Sequence, residues 1–289
     1  MLISGVIRKR SHWLFVLPLL VACGDSGSGP APEPQPCNGS PVLCDRAFDE
    51  VAYVTTHNAY ANAADGFAGP NQENDVPTQL ERGARALMLD VYDLDGEVVQ
   101  YHGIQALGVR PLRETLLELK GFLEANPRDV VSLIFESYVP GEMLAAEFDG
   151  VGLTEMAHSQ VPGEAWPTLG AMIEGGTRLV VFTDSGGGAP PWLHPVWDHA
   201  FETHYSFAEP EDFDCAPNRG DPAHPLFILN HFLTQTLGSA VLAEQVNYNP
   251  LLEERVARCA SENDAFPNFV TVDFENIGVV HEVVAQWNQ

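Results

Sequence analysis

Thr55-Thr56-His57-Asn58-Ala59-Tyr60, Arg85-Ala86-Leu87-Met88-Leu89-Asp90 and Tyr101-His102-Gly103 are the stretches on which the fold of this chain turns. In each, a polar group follows an apolar run of β type. Val51-Ala52-Tyr53-Val54 leads into His57, Ala86-Leu87-Met88-Leu89 into Asp90, and Val98-Val99 into His102. A parallel α/β barrel needs strands that deliver polar residues at their C-terminal ends, because such barrels build their sites on that face. Two histidines and a carboxylate arriving this way point to general acid–base chemistry.

The alternation continues outward from these stretches. Strands are predicted over residues 51–57, 85–91, 98–102, 130–135, 178–183, 226–229 and 269–272. The clearest helix runs from Arg110 to Asn126, where Leu112, Leu116, Leu119 and Leu123 recur at helical spacing and Pro127 ends the run. Further helices are predicted at 168–174, 249–262 and 278–287, with a short helical turn at 79–83 and mixed helix and loop at 141–160. Leu94-Asp95-Gly96-Glu97 reads as a hairpin turn. Residues 62–78 read as a polar loop on the site rim. The aromatic, acidic stretch 192–224 gives no clear pattern. Strands alternating with helices argue for an α/β (β/α)8 barrel of TIM type.

The N-terminus reads as a targeting segment. Arg8-Lys9-Arg10 precedes a short apolar run, Trp13 to Val21, too short to span a membrane as a mature helix. Leu20-Val21-Ala22-Cys23 resembles the bacterial lipobox, which implies cleavage of residues 1–22 and lipid on Cys23. Residues 23–36, rich in Gly, Ser and Pro, form a flexible tether, and 37–289 is one domain. The expected location is the cell envelope, with membrane contact through Cys23.

The chain carries 14 Lys+Arg against 40 Asp+Glu, a net charge of −26. Loss of residues 1–22 leaves 11 bases against the same 40 acids, a net charge near −29. Such a chain repels nucleic acid and gains nothing from anionic lipid through its own charge. Besides Cys23, four cysteines remain: Cys37, Cys44, Cys215 and Cys259. An exported chain keeps disulfides, and Cys37–Cys44 with Cys215–Cys259 is the simplest of three possible pairings. No cysteine–histidine spacing suggests zinc.

Thr56-His57-Asn58, Gln79 to Gly83, Arg85 to Asp90, Tyr101-His102-Gly103 and Leu133-Ile134-Phe135-Glu136 fall in an order that resembles the X domain of phosphatidylinositol-specific phospholipase C. The set is most similar to the secreted PLC-like phosphodiesterases of bacteria, fungi and plants. Those share the Leu87-Met88-Leu89-Asp90 stretch, the Ala125-Asn126-Pro127 helix end, the Arg178 to Thr183 strand and the closing Asn268 to Phe274. The resemblance covers about residues 37–278. It implies a distorted TIM barrel that cleaves phosphodiesters, with His57 as general base and His102 as general acid. It also implies a cation for the phosphoryl charge, because developing negative charge needs a positive partner. Relatives that use calcium have ligands at positions matching Asn58, Asp90 and Glu136, and a fourth acid where Met88 stands here. Relatives that use arginine carry it where Tyr92 stands. The chain departs from both patterns, and a divalent cation, calcium or magnesium, is expected on Asn58, Asp90 and Glu136. Arg85 is a rival source of charge.

Asp273, at the end of the last predicted strand, is expected to orient His57. His231 and Asp184 are further strand-end candidates for the pocket. His158, His194, His199, His204, His224 and His281 are expected on the surface. The expected activity is a phospholipase C-type phosphoric diester hydrolase acting on a phospholipid or related diester, as a monomer. Two alternatives stand beside it: a barrel that has lost the reaction and acts as a binding protein, and phospholipase D-like cleavage.

Overall fold

The computed structural model describes residues 1, 2, 5, 35–235 and 237–289. The segment 1–22, Cys23 and most of the tether therefore lie outside the described residues, apart from residues 1, 2 and 5. Gln35–Gln289 forms one compact unit.

Eleven strands appear in it: β1 (Tyr53–Thr56), β2 (Ala86–Leu94), β3 (Glu97–Gln100), β4 (Arg110–Pro111), β5 (Val131–Ser137), β6 (Leu179–Thr183), β7 (Leu193–Pro195), β8 (Ala200–Thr203), β9 (Pro217–Gly220), β10 (Leu226–Asn230) and β11 (Phe269–Val272). The helices are α1 (Val76–Arg82), α2 (Leu112–Ala125), α3 (Gly141–Val151), α4 (Leu169–Gly175), α5 (Ala240–Val246), α6 (Leu251–Asn263) and α7 (Val280–Trp287).

The order β7-β6-β5-β2-β1-β11-β10-β8 is parallel throughout. Read around the ring, it follows chain order, as a (β/α)8 barrel requires. Among the described residues, no pairing joins β7 to β8, so the barrel is open there. β9 folds back antiparallel on β8. The expected distorted TIM-type barrel is what forms.

The strand that precedes His102 corrects the sequence reading. β3 is not a barrel stave but the return arm of a hairpin, antiparallel to β2 with Leu94 opposite Glu97. Asp95 and Gly96 both have positive φ (55° and 89°), the turn that Asp-Gly favours and that suits the strand twist. The Val98-Val99 run packs that hairpin, and a loop carries His102 to the site.

β1, β6, β8, β10 and β11 are buried along their whole length, the mark of parallel strands covered on both faces. Tyr53, Ala86, Ile134, Val180, Phe182 and Phe269 belong to one cluster with Phe48 and Trp166, whose ring centroids lie 4.6 Å apart. α2 buries Leu112, Leu116, Leu119 and Leu123 against a second cluster that includes Leu87, Leu133 and Val181. Each such leucine contributes about 1.5–3 kcal/mol relative to exposure. α6 and α7 close a third cluster over β10 and β11. Both expected disulfides form, Cys37–Cys44 and Cys215–Cys259. No helix among the described residues is long and apolar enough to cross a membrane.

Candidate active site

The site is built at the C-terminal ends of β1, β2, β5 and β11. β1 pairs with β11 so that Thr56 lies opposite Val272. The next residue of each strand is then a site residue, and His57 Nδ1 meets Asp273 Oδ1 at 2.8 Å. β2 pairs with β5 so that Asp90 lies opposite Glu136, which places the two carboxylates side by side. The His57 ring stacks on Phe232 with centroids 3.9 Å apart and planes at 8°. The His102 ring stands 6.4 Å away, edge-on at 85°.

Asn58 is buried, holds φ at 46°, and turns its amide nitrogen to His102 Nδ1. Asparagine tolerates this left-handed backbone better than most residues. Asn71 reaches in from the loop between β1 and α1, which ends at Asp75 rather than at the expected 78 because α1 starts at Val76, and it donates to Asp273 Oδ1 at 3.0 Å. Gln72 donates to the carbonyls of His57 (2.9 Å) and Val272 (3.0 Å), so one side chain stitches the ends of β1 and β11 together.

The two imidazoles differ electrostatically. Burial opposes protonation of His57, but Asp273, with help from Asp90 and Glu136, more than offsets it and raises its pKa. Burial, then the neighbouring His57, lowers that of His102. Burial and the like charge of Glu136 push Asp90 up to about 7, although Tyr60 donates to its Oδ2 at 3.0 Å.

The PI-PLC X family model, described as PI-PLC X 1, matches residues 43–288. The chain belongs to this family. It is 28% identical over 268 residues to a PI-PLC X domain-containing protein of Arabidopsis thaliana, covering 83% of this chain and 62% of that one. It is 28% identical over 278 residues to an uncharacterized secreted protein of Arthroderma benhamiae, covering 87% of this chain and 63% of the relative. The chain thus spans less than two thirds of either relative. A PI-PLC X domain-containing protein of the same fungus is 27% identical over 297 residues and covered to 94% of its length. Among solved structures, the phosphatidylinositol-specific phospholipase C of Listeria monocytogenes has the same fold, with a TM-score of 0.56 at 14% identity. That match covers 85% of this chain and 94% of that one.

The PI-PLC X barrel here holds one further group of candidate ligands. The free side-chain oxygen of Asn58 and the carboxylates of Asp90 and Glu136 form an all-oxygen set, the donor type that calcium and magnesium take. Burial is the larger cause of the raised Asp90 pKa, and the lesser one, the like charge of Glu136, is what a cation relieves. The three line one pocket and match a divalent cation in donor type, with only two acids among them. Among the described residues, no group of three or more His, Cys, Asp or Glu is placed to hold a metal. Met88 lines the pocket and packs on the barrel core in place of a fourth acid. Tyr92 stacks between Tyr101 (3.9 Å) and Tyr138 (4.5 Å), and the Tyr138 hydroxyl bonds Glu136. It thus braces the loop before His102 where the arginine-using relatives carry a cation. Arg85 pairs with Asp129 at 2.9 Å and bonds the carbonyls of Leu80 and Ala84, at the opposite end of β2. It holds the fold together and stands away from the site.

The pocket, about 560 Å³ including its open mouth, continues toward the barrel gap. Asp184 lines it as expected. His231 does not: it is fully buried, with Nε2 on the Val246 carbonyl and Nδ1 facing Arg255. The next residue, Phe232, is the one that enters the site. His194 and His199 are also buried, beside Trp166 and Phe182 rather than on the surface. Sequence reasoning missed Asn71, Phe232, Trp197, Glu202, Tyr205 and Arg219. Arg219 bonds Glu202 at 2.5 Å and lies between the faces of Trp197 (4.6 Å) and Tyr205 (4.7 Å). The missed short strands β7, β8 and β9 bring these four together, and their brevity left no periodic signal.

Proposed function

We propose that this protein is an envelope-anchored phosphoric diester hydrolase of the phospholipase C type, acting on a phospholipid or related phosphodiester. Membership of the PI-PLC X family supports the class. The observation that carries the mechanism is the pair of imidazoles at one pocket mouth, one of them backed by a carboxylate at 2.8 Å. His57 takes the proton of a substrate hydroxyl next to the phosphate. That oxygen bonds phosphorus as the bond to the leaving oxygen breaks, and a cyclic phosphate forms. His102 hands a proton to the leaving oxygen. Each transfer contributes on the order of a hundred- to ten-thousand-fold in rate. Asp273 holds His57 with Nδ1–H toward itself and steadies the imidazolium. A divalent cation on Asn58, Asp90 and Glu136, calcium or magnesium, supplies positive charge for the phosphoryl oxygens when bound. Lipid on Cys23 and the tether hold the monomeric domain at the membrane.

The test is hydrolysis of a panel of phosphodiesters by the full chain, with EDTA, calcium or magnesium, beside His57→Ala and His102→Ala. Both variants should lose at least about a hundredfold in kcat. EDTA should abolish turnover and one cation should restore it. Activity untouched by either substitution rules out the site. Met88 and Tyr92 favour a second reading, a binding protein on the same barrel. A folded chain inert toward every diester in the panel speaks for it.

A further inference from the structure

We infer that Asn71 is a positioning residue that joins both imidazoles into one directed hydrogen-bond chain and holds His102 in the Nε2–H tautomer. The direction starts at Asp273. A carboxylate only accepts, and Asp273 Oδ1 takes hydrogens from His57 Nδ1 at 2.8 Å and Asn71 Nδ2 at 3.0 Å. The Asn71 amide must therefore turn its nitrogen to Asp273. Its oxygen faces the other way and receives Asn58 Nδ2 at 3.5 Å, a long contact. The same Asn58 nitrogen also meets His102 Nδ1. An amide nitrogen only donates, so His102 Nδ1 is a bare lone pair and the proton of the neutral ring sits on Nε2.

The consequence is a complementary pair. His57, with Nδ1–H on Asp273, leaves its Nε2 as a lone pair that accepts a proton. His102, with Nδ1 occupied, offers Nε2–H. One carboxylate fixes both senses, and it reaches the second imidazole only through Asn71 and Asn58. The arrangement also leaves the Asn58 oxygen free. Asn71 is buried, and its own backbone is fixed independently of its side chain. Its N–H bonds the Ala61 carbonyl and its carbonyl receives the Phe274 N–H, both at 2.8 Å. Changing the side chain spares those anchors.

The kinetic part of this inference rests on the phosphodiesterase reading; the tautomer does not. The experiment is 15N NMR of the full chain labelled at histidine, at pH 8, on the wild type, Asn71→Ala and Asn71→Asp. Asn71→Asp keeps the shape but removes the N–H, so a packing role would survive it. The wild type should show His102 as the Nε2–H form alone, and both variants should show a mixture. On a phosphodiester substrate, kcat should fall roughly ten- to a hundredfold, as for loss of other partners that orient a histidine, with KM within about twofold. A wild-type His102 protonated on Nδ1 overturns the inference, even if neither variant folds. So does an unchanged tautomer in folded variants. An inert chain with the expected spectrum would defeat the phosphodiesterase reading and leave the chain of hydrogen bonds standing.

Discussion

His194 packs beside Trp166 and Phe182 with both ring nitrogens engaged. Nδ1 donates to the Val181 carbonyl at 2.9 Å, and Nε2 accepts the Gln160 N–H at 2.9 Å. A second proton would break the Gln160 bond. Burial, then the nearby His199, lowers its pKa to about 4, against an ordinary value near 6.5. The unfolded chain therefore binds a proton here between those values that the native state refuses. The stabilisation is whole above about pH 6.5 and is lost as pH falls toward 4. Asp90, raised to about 7, works in the opposite sense, so the difference from a variant is the clean measure. The margin of wild type over His194→Gln in urea unfolding should shrink by about 3 kcal/mol between pH 7 and pH 4. A margin that stays constant would mean that His194 is charged or exposed. Nothing in the sequence marked this residue, because a lone histidine next to proline reads the same in a core and on a surface.

Hairpins decide what the barrel's own staves do not. The β2–β3 hairpin was legible as Leu94 to Glu97, yet its role was not, because a valine pair reads the same in a stave and in a return arm. β9 was not legible at all. Its four residues, Pro217 to Gly220, carry no apolar alternation. It pairs antiparallel with β8, and the backbones approach closely at Gly220, where φ is +79°. A Cβ there would lie 2.1 Å from the Ala200 carbonyl oxygen and 2.8 Å from Phe201 Cα. Gly220→Ala should therefore cost at least about 1–3 kcal/mol and release Arg219 from Glu202 and the two aromatic faces. Thermal unfolding checks the first, and Trp197 fluorescence the second. An unaltered midpoint and spectrum would show that the hairpin yields without strain. α2 is the contrasting case, since its leucine spacing marked both its limits and its buried face.

Across the molecule, the two disulfides close loops of very different size. Cys37 and Cys44 are 7 apart in sequence, Cys215 and Cys259 are 44 apart. Loop-closure entropy makes the second worth about 4 kcal/mol and the first about 2.4 kcal/mol in the chain-entropy account. Cys215→Ala with Cys259→Ala should lower stability more than the corresponding change at Cys37 and Cys44, by denaturant unfolding. The reverse order would mean that the short N-terminal loop contributes through contacts rather than through chain entropy. Cys215 and Cys259 also tie the segment that follows β8 to α6, across the part of the chain that the sequence left unparsed.

The sequence by itself determined the barrel class, the α2 helix, the family resemblance and the strand-end groups His57, Asp90, Glu136 and Asp273. Those follow from local periodicity and from short stretches whose spacing along one strand sets which face a side chain takes. The tertiary structure alone decided which of these groups meet. The β1–β11 register brings His57 to Asp273, the β2–β5 register sets Asp90 beside Glu136, and the loop between β1 and α1 carries Asn71 to Asp273. It also decided that the barrel stays open between β7 and β8 and that Arg219 enters the pocket from an antiparallel arm. Register and closure depend on pairing between residues far apart in the chain, and no local pattern encodes the partner of a hydrogen bond that spans some 200 residues.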